Sequence, residues 1–138
     1  MATTLNPYLS FRDDARSAMD FYQSVFGGEV TRSTFAELGM SDDPAEAEKI
    51  MHSQLVTPGG MVLMAADTPA SMDHTPGGPI SVSLSGSDES ELRGYWDGLC
   101  DGGTVVLPLE TAPWGDSFGM CRDRCGVSWM VNIGGAPV

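Results

Sequence analysis

The sequence is poor in basic residues: 7 Lys and Arg stand against 19 Asp and Glu in 138 residues, a net charge of −12. A field of that sign repels nucleic acid and anionic lipid, so neither is expected as a partner. The acids are scattered over expected helix faces and loops, where they serve solubility. One local concentration exists, at Glu37, Asp42, Asp43, Glu46 and Glu48. No apolar run approaches the roughly 20 residues that span a bilayer. The first residues carry no basic region followed by an apolar stretch, so a secretory signal is not expected and the cytoplasm is. Cysteine is limited to Cys100, Cys121 and Cys125. An odd, small number without a signal argues for reduced, buried or turn thiols. Cys121-x-x-x-Cys125 is not a usual zinc spacing. There is no Walker loop, GxSxG or HExxH.

What is present is strand and helix periodicity. Residues 5–11 alternate, with Leu5, Pro7, Leu9 and Phe11 on one side and Asn6, Tyr8 and Ser10 on the other. Asp13 and Asp14 precede a helical stripe of Ala15, Ala18, Met19, Tyr22, Val25 and Phe26, and Gly27-Gly28 stops it. Strands are expected at 29–35, 49–57 and 61–66, with an acidic loop at 36–49 containing one helical turn. Residues 67–78 are rich in turn formers and read as a linker; His74 lies there. The second half opens on the clearest alternation, Ile80, Val82 and Leu84 against Ser81, Ser83 and Ser85. Asp88-x-x-Glu91 has the form of a capping box before a stripe of Leu92, Tyr95, Trp96 and Leu99. Gly102-Gly103 ends that helix, and strands are expected at 104–111, 116–122 and 127–133.

The two halves repeat one pattern: a strand, a capped helix with an aromatic pair, a Gly-Gly stop and three strands. A single such unit cannot cover its own sheet, so two must pack together, or two chains must. The expected fold is α+β: a single domain over 1–138, with one βαβββ module at 1–66, the linker at 67–78 and a second module at 79–138. Two curved mixed sheets would enclose a cleft, with the helices outside. Such clefts are small-molecule sites by default.

The residues Asn6-Pro7-Tyr8-Leu9-x-Phe11, Phe21-Tyr22-x-x-Val25-Phe26-Gly27-Gly28, Lys49-Ile50-Met51-His52-x-x-Leu55, Thr111-x-x-Trp114-Gly115-x-x-Phe118-Gly119 and Asp123-x-x-Gly126-Val127-x-Trp129 resemble the vicinal oxygen chelate superfamily. It contains glyoxalase I, bleomycin-resistance proteins and extradiol dioxygenases, and the likeness is greatest to its PhnB-like branch. That branch is often labelled a demethylubiquinone methyltransferase, but no glycine-rich cofactor loop follows a strand here. The resemblance implies a glyoxalase-like fold, a homodimer and, in many members, a divalent metal held by His and Glu. The corresponding positions fall near Asn6 to Tyr8, Met64, Pro79 and Met130, which do not suit a hard ion. A shift of register offers Asn6, Ser81 and Asn132, all weak ligands. No cofactor is therefore expected, a divalent metal at a relocated site being the alternative.

Alternation turns Asn6, Tyr8, Ser81, Ser83, Ser128, Met130 and Asn132 toward the cleft, with His52 and Gln54 on the same side of the third strand. His52 is the candidate general acid or base, or a hydrogen-bonding group for a ligand. Trp114 and Phe118 are candidates for an aromatic wall. The expected ligand-binding set is thus Asn6, Tyr8, His52, Gln54, Ser81, Trp114 and Phe118. Most methionines are assigned to the core, and Asp67 to a turn cap rather than a catalytic acid. Three readings stand: a metal-independent small-molecule binder, a lyase, isomerase or dioxygenase-like enzyme using His52 or a relocated metal, and an interaction or regulatory module.

Overall fold

A computed structural model describes residues 3–39, 44–69 and 79–134. The chain divides into two compact units, Met1–Pro76 and Gly77–Val138, and each carries the same topology. In the first, the order is β1 (Tyr8–Phe11), α1 (Ala15–Phe26), β2 (Glu29–Thr34), the short helix α2 (Pro44–Ala47), β3 (Ile50–Val56) and β4 (Val62–Asp67). In the second it is β5 (Val82–Gly86), α3 (Glu89–Cys100), β6 (Thr104–Thr111), β7 (Ser117–Arg122) and β8 (Ser128–Ile133). The sheets run β1-β4-β3-β2 and β5-β8-β7-β6. In both, the first strand pairs parallel with the last and the other neighbours are antiparallel. The expected pair of βαβββ modules in an α+β fold is what the chain forms.

Each helix buries one stripe on its sheet. Ala15, Ala18, Met19, Tyr22 and Phe26 of α1 are buried, and α1 lies against β3 and β4. Their spacing of three and four residues keeps them on one face. Leu55, Leu63 and Ala65 of the sheet meet that stripe and are buried with it. In the second unit Leu92, Trp96 and Leu99 of α3 take the same part, with Trp129 and Val131 of β8 beneath.

The Gly-Gly stops do more than end helices. A Cβ on Gly28 would sit 2.1 Å from the Val56 carbonyl oxygen, and one on Gly103 would sit 2.3 Å from that of Arg122. The chain leaving each helix therefore crosses the end of the third strand of its unit at a distance only glycine permits. The repeat seen in sequence thus has a packing cause at its second glycine.

Several local expectations are corrected. The first strand begins at Tyr8, not residue 5, and Leu5 is fully exposed. The fifth begins at Val82, so Ile80 and Ser81 precede it, exposed. The linker was expected from residue 67, but β4 continues through Asp67. His74 lies outside the described residues. Asp14 makes no side-chain cap to α1. The capping bond comes instead from Asp67, whose buried carboxylate accepts the Ala15 N–H on Oδ1 and the Ile50 N–H on Oδ2, both at 2.9 Å. Asp88 does cap α3, accepting from the Glu91 N–H at 3.1 Å. The box is not closed, because the Glu91 carboxylate accepts the Tyr95 hydroxyl at 2.8 Å. Nor are the methionines mainly core: Met19 is buried, whereas Met51, Met64, Met120 and Met130 are half-buried and Met61 is exposed. Met64, Met120 and Met130 fall on the sheet faces turned away from the helices, because their strand neighbours Leu63, Cys121 and Trp129 are buried on the helix side.

Candidate functional site

On the first sheet the face without a helix carries the polar residues. Tyr8 pairs with Met64, Met64 with Gln54, and Gln54 with Thr31, so these four side chains form one row across all four strands. His52 lies two residues before Gln54 and opposite Ser33. Ser53 and Leu55, between and beyond, are buried toward the helix, which turns His52 and Gln54 outward. The Tyr8 hydroxyl and His52 Nδ1 lie 3.4 Å apart, within hydrogen-bonding reach, and the ring tautomer sets which donates. The two rings are tilted by 38° with centroids 5.9 Å apart. Tyr8 is 51% exposed and His52 half-buried, so both reach solvent.

This pairing joins residues 44 positions apart and supplies the partner for His52 that sequence reasoning did not identify. The alternation that put Tyr8 and His52 on the same side was the available signal. Asn6, by contrast, lies before β1, and its Nδ2 donates to Thr4 Oγ1 at 3.0 Å in a local contact.

The second unit gathers a different set. Trp114 lies in the β6–β7 turn and Phe118 on β7, with ring centroids 5.5 Å apart and planes at 63°. Phe118 is flanked by Glu110 of β6 and Asn132 of β8 as its direct ladder partners. Asn132 Nδ2 donates to Asp116 Oδ2 at 3.1 Å. Glu110 and Asp116 were not among the expected site residues; Asp116 shares the parity of Phe118, which was the signal for it. Ser81 is exposed and lies ahead of β5.

Two of the three thiols, those of Cys100 and Cys121, are poor nucleophiles. Cys121 is buried, and that burial, with the Cys100 thiol in hydrogen-bond contact, pushes its pKa up to about 12. Burial likewise raises Cys100. A thiol held protonated does not attack or ligate readily. A hard divalent ion does not suit the donors brought together on the first sheet either. Tyr8, His52 and Gln54 offer a phenol, one imidazole and an amide, and Met64 offers only a thioether. Among the described residues no three His, Cys, Asp or Glu come together, and no helix is long and apolar enough to cross a membrane.

Residues 3–132 match the family model described as 3-demethylubiquinone-9 3-methyltransferase, the PhnB-like family. The chain belongs to this family. The uncharacterized protein Mb0911c of Mycobacterium bovis is 33% identical over the whole of this chain and 88% of its own length. The crystal structure of PA1353 from Pseudomonas aeruginosa is 34% identical, covers 96% of this chain and 98% of its own, and superposes with a TM-score of 0.80. A member of the glyoxalase/bleomycin resistance protein/dioxygenase superfamily from Sphaerobacter thermophilus shares the fold, with a TM-score of 0.61 at 23% identity over 96% of this chain and 98% of that one. The PhnB-like chain thus shares its fold with the glyoxalase/bleomycin resistance protein/dioxygenase superfamily, the fold its motifs imply.

Proposed function

We propose that this PhnB-like protein binds a small polar molecule on the helix-free face of its first sheet, and does so without a metal. The observation that carries the reading is the Tyr8–His52 contact at 3.4 Å beside Gln54 and Met64. A phenol, an imidazole and an amide present donors and acceptors in a small area, and the thioether gives an adaptable apolar floor. Few, convergent polar groups on an otherwise apolar surface are what orient a small ligand. The protein acts in the cytoplasm, with no disulfide among its three cysteines, and works as a homodimer.

The test begins with elemental analysis after incubation with zinc, nickel, manganese and iron(II). A fragment library is then screened by thermal shift against the wild type, His52→Ala and Tyr8→Phe. Support would be the absence of a stoichiometric ion together with fragments that stabilise the wild type and lose that effect in His52→Ala. A tightly held ion, or fragments indifferent to both substitutions, would overturn the proposal.

A second reading is favoured by the same contact. A histidine whose ring is oriented by a partner can take or give a proton at a bound substrate, as general acid–base catalysis requires. In an enzyme of this kind His52→Ala would lower kcat by about 100-fold or more, while Tyr8→Phe would lower it less.

A further inference from the structure

We propose that the β6–β7 end of the second sheet is a binding site for a small organic cation of the alkylammonium or quaternary ammonium class. The proposal goes beyond the reading above and uses neither Tyr8 nor His52.

Trp114 and Phe118 form a corner, their rings 5.5 Å apart and inclined at 63°. Trp114 is 61% exposed, so an aromatic surface of the largest side chain stands open beside a second ring. Ring faces carry negative charge density, and two of them meeting at an angle attract an organic cation while excluding some of its water. Glu110 is the direct ladder partner of Phe118, which places its side chain on the same face at roughly 5 Å. Asp116 lies two residues before Phe118 and is fixed by Asn132, which donates to Oδ2 and leaves Oδ1 for a ligand. Two carboxylates thus flank two rings at one end of one sheet face.

Among the described residues of the second unit, none of the three arginines pairs with them. Arg122 is on β7 but four residues beyond Phe118, roughly 13 Å at strand spacing, where it pairs with Ser128 and Thr104. Arg93 binds Glu89 on α3, which packs against the other face of the sheet. Arg124 is in the β7–β8 turn and bonds the Asp101 carbonyl at the far end of α3. A hard metal ion would gain nothing from the rings, and the carboxylates number only two. A quaternary ammonium uses all four groups: its methyl groups rest on the rings and its charge is met by the acids. The overall charge of −12 adds a long-range attraction of the same sign.

Choline is the probe, and 3,3-dimethylbutan-1-ol its neutral isostere. Trp96 and Trp129 are buried, so a ligand at this corner alters the emission of Trp114 above all. Saturable change with choline is expected, with the isostere at least about tenfold weaker. Calorimetry on variants then separates the groups. Glu110→Gln, at an exposed position, should weaken choline about threefold to tenfold without lowering Tm. Trp114→Ala should abolish binding, Trp114→Phe should retain part of it, and His52→Ala should leave it unchanged. Equal binding of the two probes would overturn the proposal, as would no saturable binding of choline, or full binding by Trp114→Ala. Loss in His52→Ala would also overturn it, by moving the cation to the first unit. Failure of the fragment screen at His52 would leave the choline result standing.

Discussion

In the first unit a single carboxylate, that of Asp67, ties a helix start to a strand start. Its two oxygens accept the first N–H of α1, from Ala15, and the first N–H of β3, from Ile50, each at 2.9 Å and with the side chain only 6% exposed. Helix α1 has no cap of its own, since Asp14 makes no capping bond. Asp67→Ala therefore leaves two buried donors without partners. Each such orphan costs about 1–3 kcal/mol, and the favourable placement of a negative charge at a helix N-terminus, about 0.3–1 kcal/mol, is lost as well. Together a loss of about 2–7 kcal/mol is expected. Asp67→Asn keeps one acceptor but turns an amide donor toward the other N–H, so about 1–3 kcal/mol is expected. Asp14→Ala should cost less than about 0.5 kcal/mol, the usual limit for a surface change that removes no specific contact. Urea unfolding followed by circular dichroism gives the three values, provided the m-values agree. Amide exchange supplies the local check: Ala15 and Ile50 should lose protection in Asp67→Ala. If Asp67→Ala is no more destabilising than Asp14→Ala, the bridging role is wrong.

Three further outcomes are expected. Gly28→Ala puts a Cβ against the Val56 carbonyl oxygen at φ +95°, whereas Gly27→Ala meets nothing closer than 3.8 Å; overpacking adds about 1–3 kcal/mol to the first, so thermal melts should rank Gly28→Ala well below Gly27→Ala, and a reversed order would refute the close approach. Burial raises the Cys121 pKa from 9.0 to about 12, so the folded state holds this proton longer than the unfolded one. The stability this gives is complete below about pH 9 and is lost as pH rises toward 12; Cys121→Ala should show a shallower alkaline decline in urea midpoint than the wild type, and parallel curves would contradict it. Strand β6 is an edge strand with Val105, Val106 and Leu107 exposed, Val106 by 63%, and unpaired apolar edges invite association. In the proposed homodimer Val106→Glu should shift the mass seen by light scattering toward the monomer, and an unchanged mass would remove β6 from the interface.

Much of this protein was legible because two periodicities fall in register with two helices. The stripe from Ala15 to Phe26, the alternation from Val82 to Ser85 and the paired Gly-Gly stops specify the elements locally, since each rests on side-chain direction over a few residues. The same alternation put His52, Gln54 and Tyr8 on one side of their strands. Strand ends were less legible: Leu5 and Ile80 continue the alternation on paper, but β1 and β5 start where ladder partners begin, at Met64 and Trp129. The methionines misled because a hydrophobic residue at core parity and one on a helix-free face look alike in sequence; only the position of α1 and α3 distinguishes them.

By itself, then, the sequence determined the two βαβββ repeats, the family and the strand faces, because these follow from local pattern and motif. The tertiary structure alone decided which distant groups meet. Asp67 caps a helix that begins 52 residues earlier, Tyr8 reaches His52 across 44 residues, and Glu110 comes beside Phe118 through the ladder of β6 and β7, whose register is interrupted twice. Such contacts depend on strand order and register, which arise from packing two sheets under two helices and leave no mark at any fixed spacing along the chain.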